Sequence, residues 1–183
     1  MSRARDIADL VDANGDIVAD SLDNVPAASV IQVQHTQLST ASTQTWLADT
    51  PTAFTDLTVN ITPTSTSSTI KLECHLAGEF SNDAITFDHV VFFYRDTTAL
   101  KHSGSTSGSK VGISALTRTI YVLDDNSTGE IGYFTYFDSP NTTSQITYKV
   151  GIVSSIAGTY YINTTVNTTD EYFVSNISAT EIA

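Results

Sequence analysis

The chain has 183 residues, 40 % of them hydrophobic and 9 % aromatic, with only 15 % charged. That composition supports a single domain with a buried core, or one domain plus an appendage, and excludes a disordered chain. Twenty acidic residues against eight basic ones give a net charge of −12, which argues against nucleic acid or an anionic membrane surface as a partner.

The first stretch differs from everything after it. In "SRARDIADLVDANGDIVADSLDNVP" the acids Asp6, Asp9, Asp12, Asp16, Asp20 and Asp23 recur every third or fourth position. Ile7, Leu10 and Val11 fall on one stripe, with acids opposite, which predicts a helix over residues 2–13. Asn14-Gly15 is its stop signal, and Pro26 closes the segment. A helix this short is marginal alone, so its apolar stripe requires a partner. Arg3 and Arg5 lead into no apolar run of the kind a secretion signal carries. The expectation is synthesis in a cytoplasm, without membrane insertion. Residues 1–26 read as an anchor or assembly segment and residues 27–183 as a second, β-rich domain.

After Pro26 the period changes from helical to alternating. "SVIQVQHTQL", "LTVNIT", "IKLECHL", "HVVFFYR", "RTIYVL", "IGYFTYF", "ITYKVGIV", "TYYIN" and "EYFVSNI" are separated by Gly, Ser, Asn, Asp and Pro clusters. About eight to ten short strands at this spacing predict an all-β, antiparallel sandwich or barrel. A jelly-roll-like sandwich is the preferred version, with an immunoglobulin-like sandwich as the alternative. No Cys…Trp…Cys framework supports the latter, because Cys74 is the sole cysteine. Cys74 is in phase with Ile70, Leu72 and Leu76, so a core thiol is expected, with His75 on the opposite face.

Two kinds of strand can be distinguished. In "ITYKVGIV", Ile146, Tyr148, Val150 and Ile152 share one face, while the other carries Thr147, Lys149 and Gly151. That is the pattern of a half-buried strand. In "IGYFTYF", Ile131, Tyr133 and Phe137 line one face, and Phe134 and Tyr136 the other. "HVVFFYR" repeats this, with Val90, Phe92 and Tyr94 set against Val91 and Phe93. Doubly apolar strands need cover on both sides, and a lone sandwich covers one. We therefore assign Val91, Phe93, Phe134 and Tyr136 to a subunit interface. A single closed barrel with long covering loops is the alternative.

No catalytic signature is present. His35, His75, His89 and His102 show no metal-ligand spacing, and there is no GxSxG, P-loop or GxGxxG. "DDNSTGE" places Asp124, Asn126 and Thr128 before Gly129, yet Thr135 stands where a calcium loop closes with Glu. A hairpin turn explains it better. Nothing selects a catalytic acid pair among the twenty acids, so neither catalysis nor a cofactor is expected.

Several elements together resemble small structural proteins and fibre-tip domains of tailed bacteriophages, particularly marine and cyanobacterial ones. They are "MSRARDIADL", "DNVPAASVIQVQ", "FTDLTVNITPTSTSSTIKL", "YFDSPNTTSQITYKV" and "ISATEIA". The resemblance spans most of the chain. It implies a β-sandwich, commonly trimeric, behind an N-terminal segment that joins it to the particle, with no catalytic residues to carry over. The chain departs from a long fibre in having no shaft repeats and no extended coiled coil. That favours a capsid decoration protein, head knob or short appendage located in the virion. Arg3, Arg5, Ile7, Leu10 and Val11 are then the anchoring residues, and the partners are further copies of the chain and other virion proteins. In the alternative reading the leader folds back on its own sandwich. A second function is binding of host-surface glycans through "KHSGSTSGSK" or "NTTVNTTD", with Trp46, Tyr160, Tyr161 or Tyr172 as stacking surfaces. A polysaccharide hydrolase is the third.

Overall fold

Alternating β-branched and aromatic residues form strands where one face can be buried against another layer. The computed structural model describes residues 28–81, 89–101, 111–116, 127, 129–167 and 171–183. The leader, with Arg3, Arg5, Ile7, Leu10 and Val11, lies outside the described residues. So do the strand-like "RTIYVL", most of "KHSGSTSGSK" and most of "DDNSTG".

The strands are β1 (Val30–Leu38), β2 (Ser42–Trp46), β3 (Thr52–Ile61), β4 (Thr69–Phe80), β5 (His89–Arg95), β6 (Thr98–Leu100), β7 (Ser114–Leu116), β8 (Glu130–Asp138), β9 (Ile146–Ser154), β10 (Gly158–Ile162) and β11 (Ser175–Ile182). All pairings among them are antiparallel. The strands differ from the sequence expectation in two ways. "EYFVSNI" is not one strand: Tyr172 makes an isolated bridge to Thr164, and β11 begins at Ser175. β2 and β6 escape a pattern search, since "STQTW" and "TAL" offer almost no apolar alternation.

Several strands are halves of longer runs. β1 and β2 follow one another along β11 and β10, with Leu38 opposite Ser175 and Ser42 opposite Ile162. β4 lies beside β11 through Thr69–His75 and beside β10 through Gly78–Phe80, while β8 takes its other edge. β5 pairs β9 on one side, and on the other β7 and then β6. Counted as continuous runs, the sheets have the order 1-8-3-6 and 2-7-4-5. That is the paired Greek-key order of a jelly roll, which separates it from the immunoglobulin alternative.

Asn163 holds the interruption in the first sheet together. It adopts φ 61°, a left-handed conformation that Asn tolerates better than most residues. Its Nδ2 donates to Leu38 O at 2.7 Å and Thr40 O at 3.1 Å, and its Oδ1 accepts from Ser175 Oγ at 2.7 Å. Its backbone N–H donates to Ala77 O at 2.8 Å. One buried residue thus links the ends of β1, β4, β10 and β11, and "NTTVNTTD" starts as an anchored corner.

The core lies between the sheets. Leu72, Cys74, Leu76, Phe134, Ile177 and Ala179 from one meet Leu57, Val59, Val91, Phe93, Tyr148, Val150 and Ile152 from the other. Each large apolar side chain so buried contributes on the order of 1.5–3 kcal/mol. Phe93 and Phe134 make the central contact, with ring centroids 5.0 Å apart. Cys74 is a buried free thiol whose pKa is pushed up by burial, so it acts as a small core residue. At one end Trp46, Phe80, His89 and Tyr160 interlock. His89 stacks on Phe80 at 4.0 Å, and Trp46 Nε1 donates to Ile156 O at 2.9 Å.

Candidate functional site

The expected subunit interface is corrected by the structure. Val91, Phe93 and Phe134 are buried between the two sheets of one chain, and Tyr136 is half-buried against the same core. A neighbouring chain is not needed to cover them. The parity of β5 and β8 turns these residues inward, where each sheet serves as the other's cover.

The outward faces of the same two strands have different environments. On β5, Phe92 is buried although it points away from the core, and its ring lies 5.1 Å from that of Tyr94. Gly151 on β9 makes room for both. A Cβ there would meet the Phe92 ring at 2.7 Å and the Tyr94 ring at 2.8 Å. On β8, by contrast, Ile131, Tyr133 and Phe137 are 59 %, 63 % and 58 % exposed. Along a strand, Tyr133 and Phe137 stand about 14 Å apart.

This stripe borders a mostly polar sheet face. In register across β4, Ile131 faces Ala77, Tyr133 faces His75, Thr135 faces Glu73 and Phe137 faces Lys71. The rows continue through Asn176, Ser178 and Thr180 of β11 to Gln37, His35 and Val33 of β1. Tyr133 Oη donates to Glu73 Oε1 at 2.7 Å, and Lys71 Nζ reaches the same oxygen at 2.8 Å. The hydrogen bond from Lys71, then that from Tyr133, hold the Glu73 carboxyl below its ordinary pKa. The same contacts raise the pKa of Lys71 and of the Tyr133 phenol. Lys71 and Glu73 are the only Lys, Arg, Asp or Glu among these rows, which therefore have no net formal charge. His75 Nδ1 lies 3.1 Å from Val174 O, which brings the exposed Val174 and Tyr172 segment alongside the stripe.

The buried acids have structural engagements. Glu181 accepts from Thr64 N, Thr64 Oγ1 and Ser68 Oγ, each at 2.7 Å, and from Gln32 Nε2 at 2.6 Å. Burial alone raises its pKa, but the hydrogen bonds from Ser68, Gln32 and Thr64 outweigh that and lower it. Glu181 thereby fastens the turn "TPTSTSS" to β11. Asp138 accepts from Arg95 Nη1 at 3.0 Å and Tyr148 Oη at 2.7 Å, joining one sheet to the other. Burial, followed by the bond to Asp138, raises the Tyr148 pKa. Glu130 accepts from Phe80 N at 2.9 Å, and Glu79 accepts from Val166 N. Among the described residues no group of three or more His, Cys, Asp or Glu is arranged to hold a metal ion.

The proposed stacking residues separate in the same way. Trp46 and Tyr160 are buried and offer no ring to a ligand, Tyr161 is half-buried, and Tyr172 is exposed. Thr164 and Thr165 of "NTTVNTTD" are buried as well. The outward triad of β8 was legible as an apolar face, but sequence offers no reason to prefer it over the inward one. No protein-family model matches this chain, and a search of curated proteins finds no significant similarity.

Proposed function

We propose that the chain is a structural subunit of a tailed-bacteriophage particle. In this reading it is a self-associating jelly-roll protein, serving as a capsid decoration, knob or short-fibre component and joined to other virion proteins through residues 1–26. The trimer is the form the resemblance implies, and the role needs neither catalysis nor a cofactor. The observation that carries the proposal is a jelly roll, closed around its own core, with one partly aromatic sheet face, its Lys71 and Glu73 charges cancelling, open to solvent. Jelly rolls recur in viral capsids, an analogy at the level of fold that adds support. The test is incorporation into particles of a chain lacking residues 1–26. The truncated chain is expected to fold and be left out, and incorporation at wild-type levels defeats the reading.

Tyr172, two-thirds exposed beside the His75–Val174 contact, favours a second reading as a host-glycan binding module. Loss of host adsorption by Tyr172→Ala, with particle incorporation intact, supports it. Unchanged adsorption removes it.

A further inference from the structure

We propose that the outer face of the first sheet, centred on Ile131, Tyr133 and Phe137, is the docking surface for a second copy of this chain. The inference rests on the self-association part of the function proposed above and says where that association occurs.

Charge selects the occupant. A chain of net charge −12 accepts a second copy best where like charges do not meet. The rows around β8 meet that condition, because Lys71 and Glu73 cancel and their neighbours are His35, His75, Asn, Gln, Ser, Thr and apolar residues. Two such faces can meet without like-charge repulsion. They also present one Lys and one Glu each, a self-complementary set that suits identical partners.

Composition and order agree with this. Tyr and Phe are enriched at interface centres, and both are exposed here with Ile131 between polar rows. Tyr133 is held through Oη by Glu73, and Glu73 by Lys71, so docking orders little that is not already ordered. Among the described residues the opposite sheet offers no equivalent. Phe92 and Val153 on its outer side are already buried, and β3 presents Thr55, Asp56 and Asn60 to solvent.

The test is the solution mass of the full chain by light scattering over a range of concentrations. It is measured for wild type, Ile131→Glu/Phe137→Glu, the milder Tyr133→Ser and a control, Thr55→Glu on β3. Circular dichroism confirms that each is folded, and Tyr133→Ser decides if the double variant is not. Wild type is expected at a multiple of 19.7 kDa, as is the control. The double variant should fall to the single-chain mass, and Tyr133→Ser should raise the dissociation concentration at least tenfold. A wild-type oligomer that the folded face variants leave intact overturns this interface but spares the assembly reading. A wild type of single-chain mass at every concentration overturns both. If that monomer binds a neutral oligosaccharide and the folded Tyr133→Ser variant does not, the face belongs to a glycan.

Discussion

β5 and β8 carry nearly the same message in sequence and have opposite fates in the fold. Both are apolar on two sides, and both bury one side between the sheets. β5 runs in the interior of its sheet, flanked by β9 and by β6 and β7, and its outward Phe92 is sealed by Tyr94 over the bare backbone of Gly151. β8 pairs β4, and its outward Ile131, Tyr133 and Phe137 face solvent. Apolar content on both faces therefore signals a need for cover, while position in the sheet determines whether the chain itself provides it. That difference turns β8 into the candidate assembly surface and leaves β5 as core.

The largest expected effect tests the inward half of the comparison. Phe93→Ala removes a fully buried ring that packs on Phe134, and should cost about 3–5 kcal/mol in a denaturant titration. A cost below 1 kcal/mol would mean that the inward faces are not the core.

Next is the outward side of β5. Gly151→Ala forces a methyl group to within 2.7 Å of Phe92 and 2.8 Å of Tyr94. The rings must shift, at about 1–3 kcal/mol, read as a lower thermal midpoint. If Gly151→Ala is neutral, the outward cover of β5 is loose and the two strands are more alike than described.

Glu181 and Glu73 form a buried and a half-buried counterpart within one sheet. Both have folded pKa values below the ordinary carboxylate value of 4.5. Each therefore stabilises the fold fully above about pH 4.5, and the contribution is lost as pH falls through the lowered folded value. Unfolding followed against pH should show stability declining below that point. Glu181→Gln should flatten the decline more than Glu73→Gln, since the half-buried Lys71–Glu73 pair is partly screened by solvent. Equal flattening would place the acid sensitivity elsewhere.

The smallest effect belongs to the outward side of β8. In dilute, single-chain conditions Phe137→Ser should change stability by no more than about 0.5 kcal/mol, as for other exposed positions. A loss comparable to that of Phe93→Ala would show that the stripe is covered within the chain.

Local pattern determined a good deal by itself. Alternation in "HVVFFYR", "IGYFTYF" and "ITYKVGIV" marks β5, β8 and β9, because side chains on a strand alternate faces whatever the partner. The phase of Cys74 with Leu72 and Leu76 placed it inside and His75 outside for the same reason. Other features depend on groups distant in the chain. β2 is a strand because β10 pairs with it, although "STQTW" has little pattern of its own. Asn163 reads as one more Asn-Thr-Thr triplet until β1, β4 and β11 bring their backbone and hydroxyl groups to it. Glu181 reads as one acid among twenty until Gln32, Thr64 and Ser68 converge on it. The choice between the two apolar faces of β8 belongs with these. A strand states that both of its faces are apolar, but which face meets the opposing sheet and which meets solvent follows from packing the two sheets together.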